Sequence, residues 1–135
     1  MLGEMIGESE GKTISIRVLP SRGNEPVYEV TEEFKGNLLG IEISDMTTYK
    51  YVIKEGGIMY GKGQGATLTK EGDALTYTIS GVGKFKDKGP AVSFRGALYY
   101  RTSSAKFSRL NGIAVIFEYE ADENGNSYAK QWEWK

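Results

Sequence analysis

Residues 56–85 read GGIMYGKGQGATLTKEGDALTYTISGVGKF, and their glycines fit two opposite structures. Gly61, Gly63 and Ala66 match the G-x-G-x-x-G/A pattern of a dinucleotide-binding turn. That turn requires a helix directly after it, because the helix N-terminus holds the pyrophosphate. Here the next residues are mostly β-branched or small, and they reach a turn signal at Glu71-Gly72. The stretch therefore predicts a β-hairpin and not a phosphate loop.

The rest of the chain continues this alternation of short apolar runs and turns. Its 18 glycines and nine tyrosines, together with many Val, Ile and Thr residues, indicate an all-β fold. Turn signals lie at SEGK (9–12), KEGG (54–57), KEGD (70–73) and ENGN (123–126), and weaker ones at PSRGNEP (20–26), near Lys35-Gly36-Asn37 and at KDKGP (86–90). We therefore expect an antiparallel meander with strands at residues 2–9, 12–19, 27–35, 38–54, 57–70, 73–86, 91–101, 112–122 and 127–134.

One segment departs from the strand pattern, and it reads TSSAKFSRLNG over residues 102–112. Ser103 or Ser104 is a suitable N-cap, and Asn111-Gly112 is a typical C-terminal stop. The segment predicts one short helix near residues 103–110.

The length and the net charge of the chain limit the classes of function that we expect. A chain of 135 residues fits a single domain, 1–135, that buries a core without disulfides or metals. Its 17 basic and 18 acidic residues balance to a net charge of -1, which gives no reason to expect nucleic acid or a membrane as partner. No basic leader or long apolar run is present, so we expect a soluble, cytoplasmic protein.

The chain contains no cysteine and no histidine. This excludes disulfides, thiolate nucleophiles, metal sites built on thiolate or imidazole, and triads with an imidazole base. We therefore expect no metal and no cofactor, and chemistry that depends on carboxyl, amine, hydroxyl or phenol groups.

A two-residue loop at Glu71-Gly72 would fix the register of the central hairpin. It predicts the cross-strand pairs Leu68/Leu75, Ala66/Tyr77, Gln64/Ile79, Lys62/Gly81, Tyr60/Gly83 and Ile58/Phe85 on one apolar face. In this register Lys62 and Gln64 point inward, and the glycines between them lie on the outer face. A similar loop at Glu55-Gly56 would place Tyr49 opposite Lys62 and Thr47 opposite Gln64.

Three adjacent strands would then bring polar side chains together inside the sheet. These candidate ligand-binding residues are Asp45, Thr47, Tyr49, Lys62, Gln64 and Tyr77. Lys62 could stabilise an enolate or carboxylate, a tyrosine could donate to a carbonyl oxygen, and Asp45 could act as a base. A hydrogen-bonded structural network is the competing interpretation. No residue is assigned as catalytic.

The same logic applied to the two ends of the chain predicts further pairs. A loop at Asn124-Gly125 pairs Val115 with Trp134 and Phe117 with Trp132, which places both tryptophans in the core. At the N-terminus, a hairpin predicts the pairs Met5/Ile16 and Glu4/Arg17.

The order of the motifs EFKGNLLG (33–40), GGIMYGKGQGATLTKEGDALTYTISGVGKF (56–85) and FRGALYYRTSSAKFSRLNGIAVIFEYE (94–120), with a closing WEW (132–134), resembles a family of small prokaryotic proteins of uncharacterised function. Related families fold as calycin-like barrels similar to allene oxide cyclase. The resemblance covers about residues 30–135 and implies a closed or nearly closed antiparallel barrel of about eight or nine strands. It implies no catalytic residues.

Three hypotheses for function follow. In the first, the barrel binds a small, mainly apolar ligand with one polar or anionic group, oriented by Lys62, Gln64 and Tyr49, so that Lys62→Met abolishes binding. In the second, it is a cofactor-independent isomerase or cyclase that uses an interior lysine, aspartate or tyrosine. In the third, it is a filled interaction domain that forms a homodimer through the outer residues Val52, Met59, Val82 and Ile116.

Overall fold

The computed structural model describes residues 1–86 and 89–135. In these residues, eight antiparallel strands pair in sequence order and form a closed barrel. The strands are β1 (Leu2–Arg22), β2 (Glu25–Leu38), β3 (Ile41–Ile53), β4 (Ile58–Leu68), β5 (Ala74–Phe85), β6 (Val92–Thr102), β7 (Val115–Ala121) and β8 (Asn126–Trp134). The predicted all-β barrel is confirmed. Within the described residues, no helix is long and apolar enough to cross a membrane.

Strand β1 closes the barrel because it is long enough to pair with β2 and with β8. The predicted turn at residues 9–12 is wrong, since Glu10 and Gly11 are paired on both sides. The pairs Met5/Ile16 and Glu4/Arg17 therefore do not form, and nine predicted strands become eight. The hydrophilic residues of SEGK look like a turn but lie in a continuous strand.

Two short loops join β1 to β2 and β2 to β3. The first spans Gly23-Asn24, inside the predicted break at residues 20–26. The second spans Leu39-Gly40, where both residues have positive φ (52° and 76°), as a tight two-residue hairpin turn requires. The predicted break near Lys35-Gly36-Asn37 is wrong, because β2 continues to Leu38.

The loops β3–β4, β4–β5 and β7–β8 share a three-residue form. Each is closed by a backbone hydrogen bond between the residues on either side, in the pairs Lys54/Ile58, Thr69/Asp73 and Asp122/Asn126. The third loop residue is a glycine with positive φ in every case: Gly57 (78°), Gly72 (91°) and Gly125 (83°). Three-residue hairpin loops commonly place glycine at this position.

This loop length overturns the predicted register. The two-residue loops predicted from the sequence shift each pairing by one residue, and the observed pairs are Lys62↔Ser80, Gln64↔Thr78 and Leu68↔Ala74. A one-residue shift turns one strand of a hairpin over. As a result β4 presents Met59, Gly61, Gly63, Gly65 and Thr67 to the interior, while Lys62 and Gln64 are exposed outside.

The same shift affects the C-terminal hairpin. Phe117 pairs with Gln131 and Ile116 with Trp132, so both tryptophans of β8 lie on the outer face. The prediction that Trp132 and Trp134 belong to the core is wrong, and Trp134 is 51% exposed. The side chains of β7 point to the inner and outer faces as predicted.

The connection between β6 and β7 contains a 3-10 helix at Ala105–Leu110, inside the predicted helical region 103–110. Ser104 occupies its N-cap position, but the side chain donates to the Asp73 carboxylate at 2.8 Å and does not cap the helix. Phe107 and Leu110 are completely buried in the barrel core. Of the predicted turn at 86–90, residues 87–88 lie outside the described residues.

Candidate functional site

The barrel interior contains a cavity of about 80 Å³. Aromatic and aliphatic side chains form most of its wall, among them Phe34, Ile79, Phe94, Leu98 and Phe117. Its polar lining includes Glu32, Asp45, Thr47, Tyr49, Tyr77, Tyr119 and Gln131. The cavity is larger than one water needs and far smaller than the roughly 300–1,000 Å³ of pockets for drug-sized ligands. The interior is therefore mostly filled.

Asp45, on β3, is the centre of one polar cluster. Its Oδ2 accepts hydrogen bonds from the Tyr77 hydroxyl at 2.7 Å and the Thr47 hydroxyl at 3.1 Å, and its Oδ1 accepts one from Thr67 at 2.8 Å. The Thr47 and Tyr77 hydroxyls also contact each other. Burial raises the pKa of the Asp45 carboxyl, and the three hydroxyl donors oppose that shift.

Glu32, on β2, is the centre of a second cluster. Its side chain is fully buried, and both carboxyl oxygens accept from the Tyr119 hydroxyl, at 2.6 Å and 2.8 Å. The Ser127 hydroxyl donates to Oε2 at 2.9 Å. Burial raises the pKa of Tyr119, and the neighbouring Glu32 raises it further.

The two clusters are neighbours in the sheet, because Glu32 on β2 lies directly opposite Thr47 on β3. Tyr49 borders the second cluster, with its hydroxyl 3.4 Å from that of Tyr119. Burial raises the pKa of Tyr49 first, and Tyr119 and Glu32 add to the shift. Burial and then Asp45 raise the pKa of Tyr77. These tyrosines are therefore neutral hydrogen-bonding groups at neutral pH.

Four of the predicted site residues meet at the cavity, and two do not. Asp45, Thr47, Tyr49 and Tyr77 all line it. The predicted inward facing of Lys62 and Gln64 is wrong, because the three-residue loops turn β4 over. Both lie on the outside of the barrel, where Lys62 is directly opposite Lys50 on β3.

Sequence reasoning missed the second cluster. Glu32 lies between Val30 and Phe34, two buried residues of β2, so strict alternation points its side chain inward. The side chain of Tyr119, on β7, also points inward. The alternation in β2 is a signal in the sequence, but the partner strands are far apart in the chain and no short hairpin indicates them.

The arrangement offers carboxyl and phenol groups for acid–base chemistry or for binding. Within the described residues no group of three or more acidic, cysteine or histidine side chains is placed to hold a metal ion. An aspartate with a raised pKa beside a phenol is a possible proton acceptor or donor for a bound molecule. The same pair of groups also suits the binding of a ligand that donates a hydrogen bond.

The opposite pKa shifts of two aspartates predict opposite pH dependences. Because the pKa of Asp45 is raised above 3.8 on folding, its contribution to stability is greatest at low pH and is lost as the pH rises through the folded-state pKa. Hydrogen bonds from Ser104 and Thr69 lower the pKa of Asp73, so its contribution is present above 3.8 and is lost as the pH falls.

We therefore expect Asp45→Asn to become less destabilising, relative to wild type, from about pH 3 to about pH 7. Asp73→Asn should become more destabilising over the same interval, and it is the matched control. Urea unfolding at a series of pH values measures both differences. If the loss of unfolding free energy relative to wild type changes with pH in the same direction for both variants, the burial assigned to Asp45 is contradicted.

Solved structures with the same fold come from several bacteria. A conserved protein of unknown function from Rhodopseudomonas palustris has a TM-score of 0.82 and 10% identity, covering 98% of this chain and 97% of its own. A protein of unknown function from Clostridium acetobutylicum has a TM-score of 0.77 and 12% identity, covering 98% of both chains. A β-barrel-like protein from Acinetobacter baumannii has a TM-score of 0.77 and 14% identity, covering 100% of this chain and 96% of its own.

The chain matches no protein-family model and no curated protein. At identities of 10–14%, the similarity to these structures shows the fold alone. The chain has the fold of bacterial β-barrel proteins to which no specific function is attached.

Proposed function

We propose that the protein is a small-molecule-binding barrel whose ligand carries a positively charged or hydrogen-bond-donating group. One observation carries the proposal: the charged side chains that line the cavity are the carboxyls of Glu32 and Asp45. Within residues 1–86 and 89–135, no lysine or arginine lines it.

The electrostatics favour a cation over the anion expected from the sequence. An anionic group in the cavity needs a positive partner, and Lys62 lies outside the barrel. An anionic group between the two carboxyls would be both desolvated and repelled. A small cation would instead be attracted to those carboxyls and to the faces of Tyr49, Phe94 and Tyr119.

The size of the cavity restricts the ligand further. A volume of about 80 Å³ accommodates only a few non-hydrogen atoms. The apolar wall suits a short alkyl group, and the two clusters suit its polar end. A short-chain amine in its protonated form combines these properties, and methylammonium is the simplest probe.

We expect methylammonium, followed by NMR, to shift the amide resonances of cavity residues such as Gly61, Ile79 and Leu98. Glu32→Gln should weaken this binding about tenfold or more, because it removes one of the two attracting charges, and tenfold corresponds to about 1.4 kcal/mol. Glu33→Gln is the matched control, since Glu33 is the next residue on β2 and is exposed on the outer face.

Acetate and methanol test the charge and the polarity of the ligand separately. Neither should displace methylammonium from the interior. If acetate shifts the cavity resonances and methylammonium does not, the cation proposal fails. If shifts appear instead near Lys62 and Lys50, ligands bind the outer surface and the interior cavity is a structural feature.

We also propose a relationship between this barrel and the calycin-like and allene-oxide-cyclase-like barrels. It is supported by the closed eight-stranded antiparallel barrel and by the polar groups inside it. The isomerase or cyclase alternative keeps Asp45 and Tyr77, but no lysine of residues 1–86 and 89–135 lines the cavity. Turnover of a bound ligand that Asp45→Asn abolishes would favour it over binding alone. A cytoplasmic location stays an expectation from the sequence.

A further inference from the structure

The β1–β2 hairpin extends beyond the end of β8 and forms an arm. Strand β8 begins at Asn126, opposite Lys12, and the last contact with its loop is the Thr13 amide donating to the Gly125 carbonyl at 2.9 Å. Beyond that point β1 pairs with β2 on one side. On its other side, no strand of the described part of the chain pairs with residues 14–19. The barrel is closed, but this arm has an open edge.

The open edge is unusually apolar for an unpaired strand. Ile14, Ile16 and Val18 alternate along it and are 46%, 62% and 76% exposed. Soluble proteins normally protect such edges with charges, proline or bulges, because unpaired amide and carbonyl groups invite another strand. Here a shift in the pairing with β2 places a bulge between Thr13 and Ser15, and Pro20 follows Leu19, so the regular open stretch lies between these two features. The charged side chain on this edge is Arg17, and it forms an ion pair within the arm: its guanidinium is 2.8 Å from the Glu29 carboxylate on β2.

The sequence of the edge is complementary to itself. In an antiparallel pair of two copies centred on Ile16, Ile14 lies opposite Val18 and Ser15 lies opposite Arg17. Apolar residues then meet apolar residues on one face, and no two like charges are directly opposite. Apart from the central Ile16/Ile16 contact, which lies on the two-fold axis, each contact occurs twice, as in the isologous interfaces of most homodimers.

The ends of the edge are complementary in charge. Pro20 ends the pairing, because proline has no amide to donate. Arg22, at the tip of the arm, would then approach the β7–β8 loop of the second copy, which lies just beyond the open edge and carries Asp122 and Glu123, both exposed. A positive tip therefore meets an acidic loop twice in the dimer.

We propose that the protein forms a homodimer in which the residue 14–18 edges of two copies pair antiparallel and join the two arms into one sheet. This surface differs from the outer patch predicted from the sequence. Met59, a member of that patch, is fully buried on the inner face, and Val52 is also buried. The open edge of β1 supplies what the patch lacks, namely unpaired backbone together with exposed apolar side chains.

Sedimentation equilibrium of the full chain from about 1 µM to about 1 mM tests the proposal. We expect a monomer–dimer equilibrium within this range, since a pairing of about five residues per copy is smaller than a standard interface. Ile16→Lys places two lysines at the centre of the pair and should weaken dimerisation at least about tenfold. Val82→Lys is the matched control, because Val82 is 45% exposed on the outer face of β5, away from the arm.

Amide hydrogen exchange gives a second, residue-level measurement. The amides of residues 14–18 that face the open edge should become protected as the protein concentration rises, and Ile16→Lys should remove that protection. A wild-type protein that stays monomeric to about 1 mM overturns the proposal. So does a dimer that Val82→Lys disrupts and Ile16→Lys does not.

Discussion

Phe107→Ala should lower the free energy of unfolding by about 3–5 kcal/mol, the usual cost of truncating a buried phenylalanine. Phe107 has no exposed surface and lies in the 3-10 helix at Ala105–Leu110, from which it packs into the barrel core. A segment of six residues without regular sheet pairing cannot move to fill the space without giving up its own burial. Most of the cavity should therefore remain, and its cost adds to the lost transfer free energy.

Lys106→Ala is the control for this prediction. Lys106 is the preceding residue, its side chain is 51% exposed, and its ion pair with Asp73 is 3.6 Å long. An exposed pair of this kind contributes about 0–1 kcal/mol. Urea unfolding of both variants gives the difference. A cost for Phe107→Ala no larger than that for Lys106→Ala would show that the segment does not close the core.

The positions of the strands and turns were predictable because they depend on local chemistry. Gly72 and Gly125 take positive φ, which glycine adopts without steric cost, and both lie in turns predicted from the sequence. The antiparallel meander followed from the series of hairpins, and the family resemblance of the sequence implied its closure into a barrel. The exceptions were the end of β2, which continues through the predicted break to Leu38, and strand β1. The pairing of β1 with β8 joins residues more than a hundred positions apart and leaves no local signal.

The register was not predictable, because turn signals mark a loop without fixing its length. Glu71-Gly72 fits the centre of a two-residue loop and also the last two positions of a three-residue loop. The difference of one residue leaves Asp45 and Tyr77 inside but turns Lys62 outward. This single difference removes the positive charge from the cavity and reverses the expected charge of the ligand. Registers of Gly-rich hairpins therefore need structural evidence before a site is assigned from them.

Gly65→Ala should destabilise the barrel by about 1–3 kcal/mol, as overpacking of a close-packed interior does. A Cβ at residue 65 would lie 2.2 Å from Cζ and 2.3 Å from the hydroxyl oxygen of Tyr77. The ring would have to move away from β4, and its 2.7 Å hydrogen bond to Asp45 would lengthen or break. Unfolding in urea measures the cost, and the NMR resonances of the Asp45 cluster report the displacement.

Gly61→Ala separates this contact from the general effect of replacing glycine in β4. Gly61 lies on the same strand and the same inner face, and a Cβ there would have its nearest neighbours at 3.5 Å, which is ordinary van der Waals contact. Because alanine also restricts the unfolded chain, this variant should be neutral or more stable by up to about 1 kcal/mol. Opposite effects of the two substitutions require both glycines to face the interior. Equal effects would place the row of glycines outside, with Lys62 inside, and would restore the anionic ligand that the two-residue loops imply.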